Sequence, residues 1–162
     1  MTILFAIRCA LIAVLLVVLA HEETVWGQSK KSKYACSEPN SAAICNAGKM
    51  CGSTSDPCTV DVKRTTNGAS ATPSIPGAKG NSTFCVTVGT PVVWKSETKH
   101  QGFVIDMGPT SPFDTDDIIG GSDKSVTVVA KRPGCYRFSA GVCISGELYG
   151  MCGNSNAEMI VK

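Results

Sequence analysis

Net charge is nearly absent from this chain, and its absence narrows the range of partners. The 162 residues carry 15 Lys and Arg against 13 Asp and Glu, a formal charge of +2. So small a balance argues against nucleic acid or an anionic membrane as the main partner. With 43% hydrophobic and 17% charged residues in roughly one domain's length, the composition also excludes a coiled coil, a disordered charged tail and a multidomain enzyme.

Histidine is equally scarce, since the sequence contains only His21 and His100. No Cys-x2-Cys pair accompanies them, which argues against a zinc site. A hydrolytic triad has no support, because the chain lacks a nucleophile elbow and retains a single histidine once its leader is removed. We therefore predict that the protein is not an enzyme.

Residues 1–27 have the pattern of a secretory signal peptide. Arg8 precedes an apolar run, residues 9–20, which is too short to span a bilayer. Small residues allow cleavage after Ala20 or after Gly27, and we place the boundary at Gly27; an uncleaved anchor helix is the alternative. No other segment has the pattern of a membrane span. We expect a secreted protein, extracellular or periplasmic, with no membrane span after signal removal and an unidentified extracellular partner.

Cysteine is abundant, and its number after signal removal is even. Eight cysteines remain: Cys36, Cys45, Cys51, Cys58, Cys85, Cys135, Cys143 and Cys152. An even set in a small exported chain predicts a disulfide framework of up to four bridges, whose connectivity the sequence leaves open. Asn81-Ser82-Thr83 is an N-glycosylation sequon, which a eukaryotic cell could use.

The mature chain divides into a cysteine-rich extension, residues 28–57, and a strand-rich domain, residues 58–162. The extension is too poor in aliphatic residues to form a core of its own, so we expect a loop-rich cap held by bridges. In the second part about seven short stretches alternate as strands do, with frequent turn signals and no amphipathic helix. This pattern predicts an all-β sandwich or barrel.

Three local predictions follow from the same patterns. Residues 65–82, rich in Gly, Ser, Thr and Pro, are predicted to form a long surface loop. Residues 84–94 alternate around a Gly-Thr-Pro turn and are predicted to form a hairpin. The Pro/Gly/Asp-rich stretch around Phe113, Ile118 and Ile119 is predicted to form one helical turn. Its acidic residues would cap that helix, with a divalent-cation contact as the alternative.

Five features of the second part occur in a distinctive order. They are the strands at 84–94, His100 before Phe103-Val104-Ile105, the stretch Pro133-Gly134-Cys135-Tyr136-Arg137-Phe138, the pair Gly150-Met151 and the final strand at 158–161. With these features the second part resembles the cupredoxins, the Greek-key sandwiches of plastocyanins, phytocyanins and related blue copper proteins. The resemblance covers residues 58–162 and implies a cupredoxin-like Greek-key β-sandwich with a disulfide-rich N-terminal extension. In this family two imidazoles, a thiolate and a weak axial thioether hold copper for electron transfer.

The chain departs from that ligand pattern. The resemblance places His100 at the first imidazole position and gives Cys143 and Met151 the spacing of thiolate and thioether, but Gly146 then occupies the second imidazole position. These three residues are the candidate metal ligands, and they form an incomplete site.

A second alignment, counted along the strand from Tyr136 and Phe138, places Ala140 at the thiolate position and Val142 or Cys143 at the second imidazole position. Neither alignment supplies two histidines. In phytocyanins a disulfide cysteine lies beside the second copper histidine, so we interpret Cys143 as a bridged cysteine, with a thiolate ligand as the alternative.

Three functions remain open. The first is a non-enzymatic binding or structural module with a degenerate copper site and no cofactor. The second is residual copper binding or electron transfer through His100, Cys143 and Met151. The third is a copper oxidase or monooxygenase with a histidine brace, in which cleavage after Ala20 would make His21 N-terminal and pair it with His100.

Overall fold

The computed structural model describes residues 33–36, 41–151 and 157–162, all within one compact unit, Lys31–Lys162. The predicted signal peptide and His21 lie outside the described residues, as does Cys152. The elements in chain order are a short helix α1 (Ser41–Ile44), a 3-10 turn (Ala47–Lys49), β1 (Cys58–Thr65), β2 (Gly68–Pro73), β3 (Phe84–Val86), β4 (Pro91–Lys95), β5 (Gly102–Asp106), β6 (Asp117–Gly121), β7 (Val126–Val129), β8 (Gly134–Ile144), β9 (Glu147–Gly150) and β10 (Ala157–Val161).

The strands form two mixed sheets. The first sheet has the order β2-β1-β4-β7, and the second has the order β3-β10-β8-β5-β6 with β9 paired to β8. The chain crosses repeatedly between the sheets, and β1 with β4 and β3 with β10 are parallel pairs. The predicted fold class is confirmed: the strands form an all-β sandwich of two mixed sheets.

Alternating apolar residues of both sheets fill the space between them. Val60 and Val62 of β1 and Trp94 of β4 face the core from the first sheet, and all three are fully buried. Trp94 meets Phe138 of β8 edge to face, with ring centroids 5.3 Å apart. Burial of these side chains is the main source of stability, since apolar area removed from water contributes about 25 cal/mol per Å².

Three of the local predictions are wrong. The predicted loop at 65–82 contains β2, which pairs with β1 and whose small residues Ala69, Ser70 and Ala71 are buried. Small side chains without an apolar period gave no strand signal, yet they pack closely in the sandwich.

The predicted hairpin at 84–94 is two strands in different sheets, because β3 pairs with β10 whereas β4 pairs with β1 and β7. Alternation along a strand reports which residues share a face but not which strand is the neighbour.

Ile118 and Ile119 belong to β6, paired with β5, and not to a helical turn. The neighbouring acids therefore cap no helix: Asp114 makes an ion pair with Lys131, and Asp117 begins β6.

Among the described residues, three disulfides each join the N-terminal extension to the sandwich. They are Cys36–Cys135, Cys45–Cys85 and Cys51–Cys58. The first ties the segment 33–36, hereafter the strap, to the start of β8. Three bridges indicate an oxidising compartment such as the extracellular space or the periplasm. Within the described ranges, no helix has the length and apolarity needed to cross a membrane.

The strap also makes a polar contact with the end of β5. Tyr34 Oη donates to Asp106 Oδ1 at 2.8 Å, and Lys33 Nζ lies 2.7 Å from Asp106 Oδ2. The Tyr34 ring lies against Gly108, where a Cβ would come within 2.6 Å of a ring carbon, so no larger residue fits without displacing the ring. The strap therefore lies closely against the sandwich in the described segment.

Candidate functional site

The three candidate ligands lie at one end of the second sheet. His100 precedes β5 by two residues, and Gly102 at the start of β5 pairs with Cys143 of β8. Cys143 pairs in turn with Leu148 of β9, and Met151 follows that strand directly. The topology thus brings β5, β8 and β9 side by side at the place where the sequence predicts a metal site.

His100 is exposed and occupies a turn with left-handed backbone, φ +57°. The next residue, Gln101, is almost completely buried. Its Nε2 donates to Val62 O at 2.9 Å and to Ser96 Oγ at 2.8 Å, so it ties the turn to the first sheet. Gln101 was not predicted as a buried residue, because a glutamine between His100 and Gly102 gives no signal of burial.

Cys143 faces away from the space between the sheets. Along β8, Tyr136, Phe138, Ala140 and Val142 all face inward and are buried. Cys143 lies on the opposite face, where its side chain is exposed and has no disulfide partner among the described residues. The inward position of the strand is therefore filled by the methyl group of Ala140 and offers no sulfur.

Met151 packs on the same outward face as Cys143. Its backbone N–H donates to Ala140 O at 3.1 Å, which holds the residue beside β8 with φ +65°. Its Cγ and Sδ lie 2.6 Å and 3.0 Å from the place where a Cβ of residue 141 would be, so the side chain crosses Gly141. Because Gly141 and Cys143 are two residues apart on one strand, the thiol and the thioether share one open face.

This donor set does not fit a blue copper centre, which needs two imidazoles and a thiolate in one plane. The described part of the chain supplies one imidazole, that of His100. Among the described residues, the one group of three His, Cys, Asp or Glu ligand atoms within 4.8 Å is Cys36, Cys135 and Glu158. The two cysteines are bonded to each other, so neither can act as a thiolate ligand.

A separate cleft lies between the β1–β2 hairpin and β9. It has a volume of about 860 Å³ and is lined by Lys63, Arg64, Thr65, Thr66, Asn67, Gly68, Ala69, Ser70, Gly80, Asn81, Leu148, Tyr149, Gly150 and Met151. The sequence did not predict this cleft, because one of its walls is β2, which lies in the predicted loop at 65–82.

The cleft contains an ordered cation and aromatic pair. The guanidinium of Arg64 lies 3.8 Å from the centroid of the Tyr149 ring, a cation–π contact. Tyr149 Oη donates to a carboxylate oxygen of Glu147. That hydrogen bond to Glu147 and partial desolvation raise the pKa of Tyr149 above its usual value, although the nearby Arg64 charge lowers it. The phenol therefore remains neutral at physiological pH.

Comparison with known proteins gives little beyond the architecture. No family model and no curated protein matches the chain. Among solved structures it is similar to an oxidised amicyanin mutant, with a TM-score of 0.38 and 10% identity over 72% of this chain and 95% of that chain. So low a score and identity say nothing about a ligand or an activity. What is shown is a disulfide-bonded all-β sandwich.

Proposed function

We propose that this protein is an exported, non-enzymatic binding module built on a cupredoxin-like sandwich that has lost the family's copper site. The observation that carries the proposal is the orientation of β8, which directs Ala140 and Val142 into the sandwich and Cys143 out of it. A copper ion held between the sheets would find methyl groups where it needs a thiolate and a second imidazole. The three disulfides and the buried core make the sandwich a stable scaffold.

The second candidate function, copper binding through His100, Cys143 and Met151, has one observation in its favour. The thiol of Cys143 and the thioether of Met151 share an open face, and soft sulfur ligands suit Cu(I). The third candidate depends on His21, which lies outside the described residues.

Addition of Cu(II) to the purified exported protein tests the first proposal against the second. We expect no intense visible band from thiolate-to-copper charge transfer, and the same weak binding for the native chain and for Cys143→Ser. A blue species that disappears in Cys143→Ser or His100→Gln would overturn the proposal and support copper binding. Met159→Leu, a change in the core away from this face, serves as a control for nonspecific effects of substitution.

Determination of the N-terminal residue of the exported protein tests the third candidate. We expect a start at Gln28, which removes His21 from the mature chain. A start at His21 with tight Cu(II) binding would contradict the proposal.

A further inference from the structure

The two walls of the cleft between the β1–β2 hairpin and β9 are in direct backbone contact at its floor. A Cβ on Gly68 would lie 3.3 Å from the Gly150 Cα, and a Cβ on Gly150 would lie 3.0 Å from the Ala69 nitrogen. Strands of the two sheets therefore meet there without intervening side chains. The cleft is a built feature of the sandwich edge, formed by rigid strands on both sides.

The lining of the cleft is basic and contains no acidic side chain. Lys63 and Arg64 are adjacent on β1, so their side chains leave opposite faces of the strand. Lys63 lies on the face of Asp61, its ion-pair partner at 3.9 Å. Arg64 lies on the face of Val62, toward Tyr149, and makes no ion pair among the described residues. A cation without an ion-pair partner there favours an anionic ligand.

The geometry of Arg64 suits a carboxylate in particular. Contact with Tyr149 covers one face of the guanidinium and restricts its plane, while the N–H groups at its edge remain available as donors. A guanidinium held in this way can donate two parallel hydrogen bonds to a carboxylate. Because the Arg64 guanidinium is already restricted before binding, less conformational entropy is lost when the ligand binds.

The other lining groups suit a hydroxyl-rich molecule. Asn81 Oδ1 accepts from Ala71 N–H at 2.9 Å, so the amide is held at the cleft wall with its two N–H donors not committed to that bond. Thr65 and Thr66 add hydroxyl-bearing side chains to the lining. The ring of Tyr149 supplies apolar surface for the C–H face of a sugar ring.

We propose that this cleft binds an acidic saccharide, a sugar chain that carries carboxylate groups. The proposal deepens the binding function proposed above and rests on it. The carboxylate is recognised by Arg64, and the sugar hydroxyls by the polar wall that contains Asn81.

Titration with trigalacturonate and with its fully methyl-esterified form tests this proposal, because esterification removes the charges and keeps the sugar. We expect binding of the acid at low salt, weakening as ionic strength rises, and binding of the ester weaker by about tenfold or more. Equal binding of the two forms, or no binding of the acid, would overturn the proposal.

Substitutions locate the binding. Arg64→Gln should weaken binding of trigalacturonate by about tenfold. Lys63→Gln makes the same change in charge on the opposite face of β1, and Lys131→Gln makes it beyond the end of β7 at the opposite edge of the sheet, so both should bind nearly as the native chain does. Unchanged binding in Arg64→Gln, with native thermal unfolding, would contradict the assignment.

The outcome is independent of the copper experiment. If the saccharide does not bind and no blue species forms, the assignment of an acidic saccharide to the cleft fails while the proposed binding function stands. A blue species would refute the proposed function whatever the titration shows.

Discussion

Left-handed backbone is concentrated at the β8–β9 hairpin. Ser145 and Gly146 form its two-residue loop with φ +52° and +85°, the signs of a type I′ turn, which matches the twist of the paired strands. Gly150 and Met151 follow with φ +91° and +65°. The two glycines have similar φ but different surroundings, since nothing lies within 4 Å of a Cβ on Gly146, whereas a Cβ on Gly150 would come within 2.6 Å of Ala140 O.

Alanine at these two glycines should therefore cost different amounts of stability. Gly146→Ala should lower the free energy of unfolding by about 1–2 kcal/mol, the cost of left-handed backbone alone. Gly150→Ala should lower it by about 1–3 kcal/mol more, because the new methyl group also meets backbone atoms that cannot move aside. Urea denaturation of both variants measures the difference. Equal loss of stability in the two variants would show that the close contact made by the new methyl group at residue 150 is relieved without cost.

For single residues, the sequence identified the candidate ligands but not the face of the sheet on which each side chain lies. The spacing of Cys143 and Met151 was visible in the chain, and the structure places Cys143 opposite the start of β5 and Met151 next to Ala140. Alternation along β8 puts Cys143 on the face opposite to Tyr136 and Phe138, but that this face is the outer one depends on how the two sheets pack. Gln101 was missed because its burial depends on acceptors in β1 and in the turn after β4.

Among the elements, the strap depends on a long-range disulfide. Cys36–Cys135 spans 99 residues, whereas Cys51–Cys58 spans seven. In the chain-entropy account, a bridge stabilises by restricting the unfolded chain, and a longer loop is restricted more. The first bridge should therefore contribute more than the second.

Paired alanine substitutions test this difference. Removal of Cys36 and Cys135 should cost about 4–5 kcal/mol, and removal of Cys51 and Cys58 about 2 kcal/mol. Thermal or urea unfolding under non-reducing conditions gives both values. A larger loss from the shorter bridge would contradict the entropic reasoning and indicate that Cys51 and Cys58, both fully buried, act mainly through packing.

The polar contact of the strap should make its docking depend on pH. Burial raises the pKa of Asp106, but the hydrogen bonds from Lys33, Tyr34 and the Gly108 N–H together outweigh burial and hold that pKa below its usual value. A depressed carboxyl pKa adds stability above the unfolded-state value near 4, and this stability is lost as pH falls through the folded-state pKa. The pKa of Lys33 is raised, chiefly by its hydrogen bond to Asp106, so its contribution is lost at strongly alkaline pH.

Asp106→Asn tests this dependence. The variant should be less stable than the native chain at neutral pH, by about 1 kcal/mol, the scale of one net hydrogen bond. The difference in unfolding free energy between the two chains should narrow at pH values below the usual carboxyl pKa, because the native chain then loses the Asp106 charge as well. Urea unfolding across the acidic pH range measures this difference. A difference that does not change with pH would show that the Asp106 charge has no role in holding the strap.

Some of the strands could be predicted from the local sequence pattern, and others could not. The strands β1, β5, β7 and β10 have the alternation or apolar runs that the sequence analysis recognised. β2 was missed because glycine, alanine, serine and threonine carry no apolar period. The connection from β3 to β4 was misread because a tight turn signal is compatible with a crossover between sheets as well as with a hairpin.

For the whole molecule, the cysteine count makes a prediction that the described residues leave open. Six of the eight mature cysteines form three bridges, and Cys143 is free within the described part of the chain. Cys152 lies outside it. We expect four bridges in the exported protein, because a free exposed thiol is readily oxidised in such a compartment.

Alkylation of the denatured, unreduced protein, followed by intact mass measurement, tests this expectation. The native chain should take up no alkyl group, and Cys143→Ser should take up one, on the cysteine that has lost its partner. Alkylation of Cys143 in the native chain would overturn the expectation and would strengthen the copper-binding alternative.

The amino-acid sequence by itself determined two properties: an all-β chain, and too few imidazoles for a blue copper centre. These follow from residue counts and from alternation, which act locally or do not depend on conformation at all. The tertiary structure decided which strands are neighbours, which face Cys143 occupies, and that Arg64 and Tyr149 meet across a cleft. Those features depend on pairing between residues far apart in the chain, and the free energy of such pairing comes from the assembled sandwich rather than from any one segment.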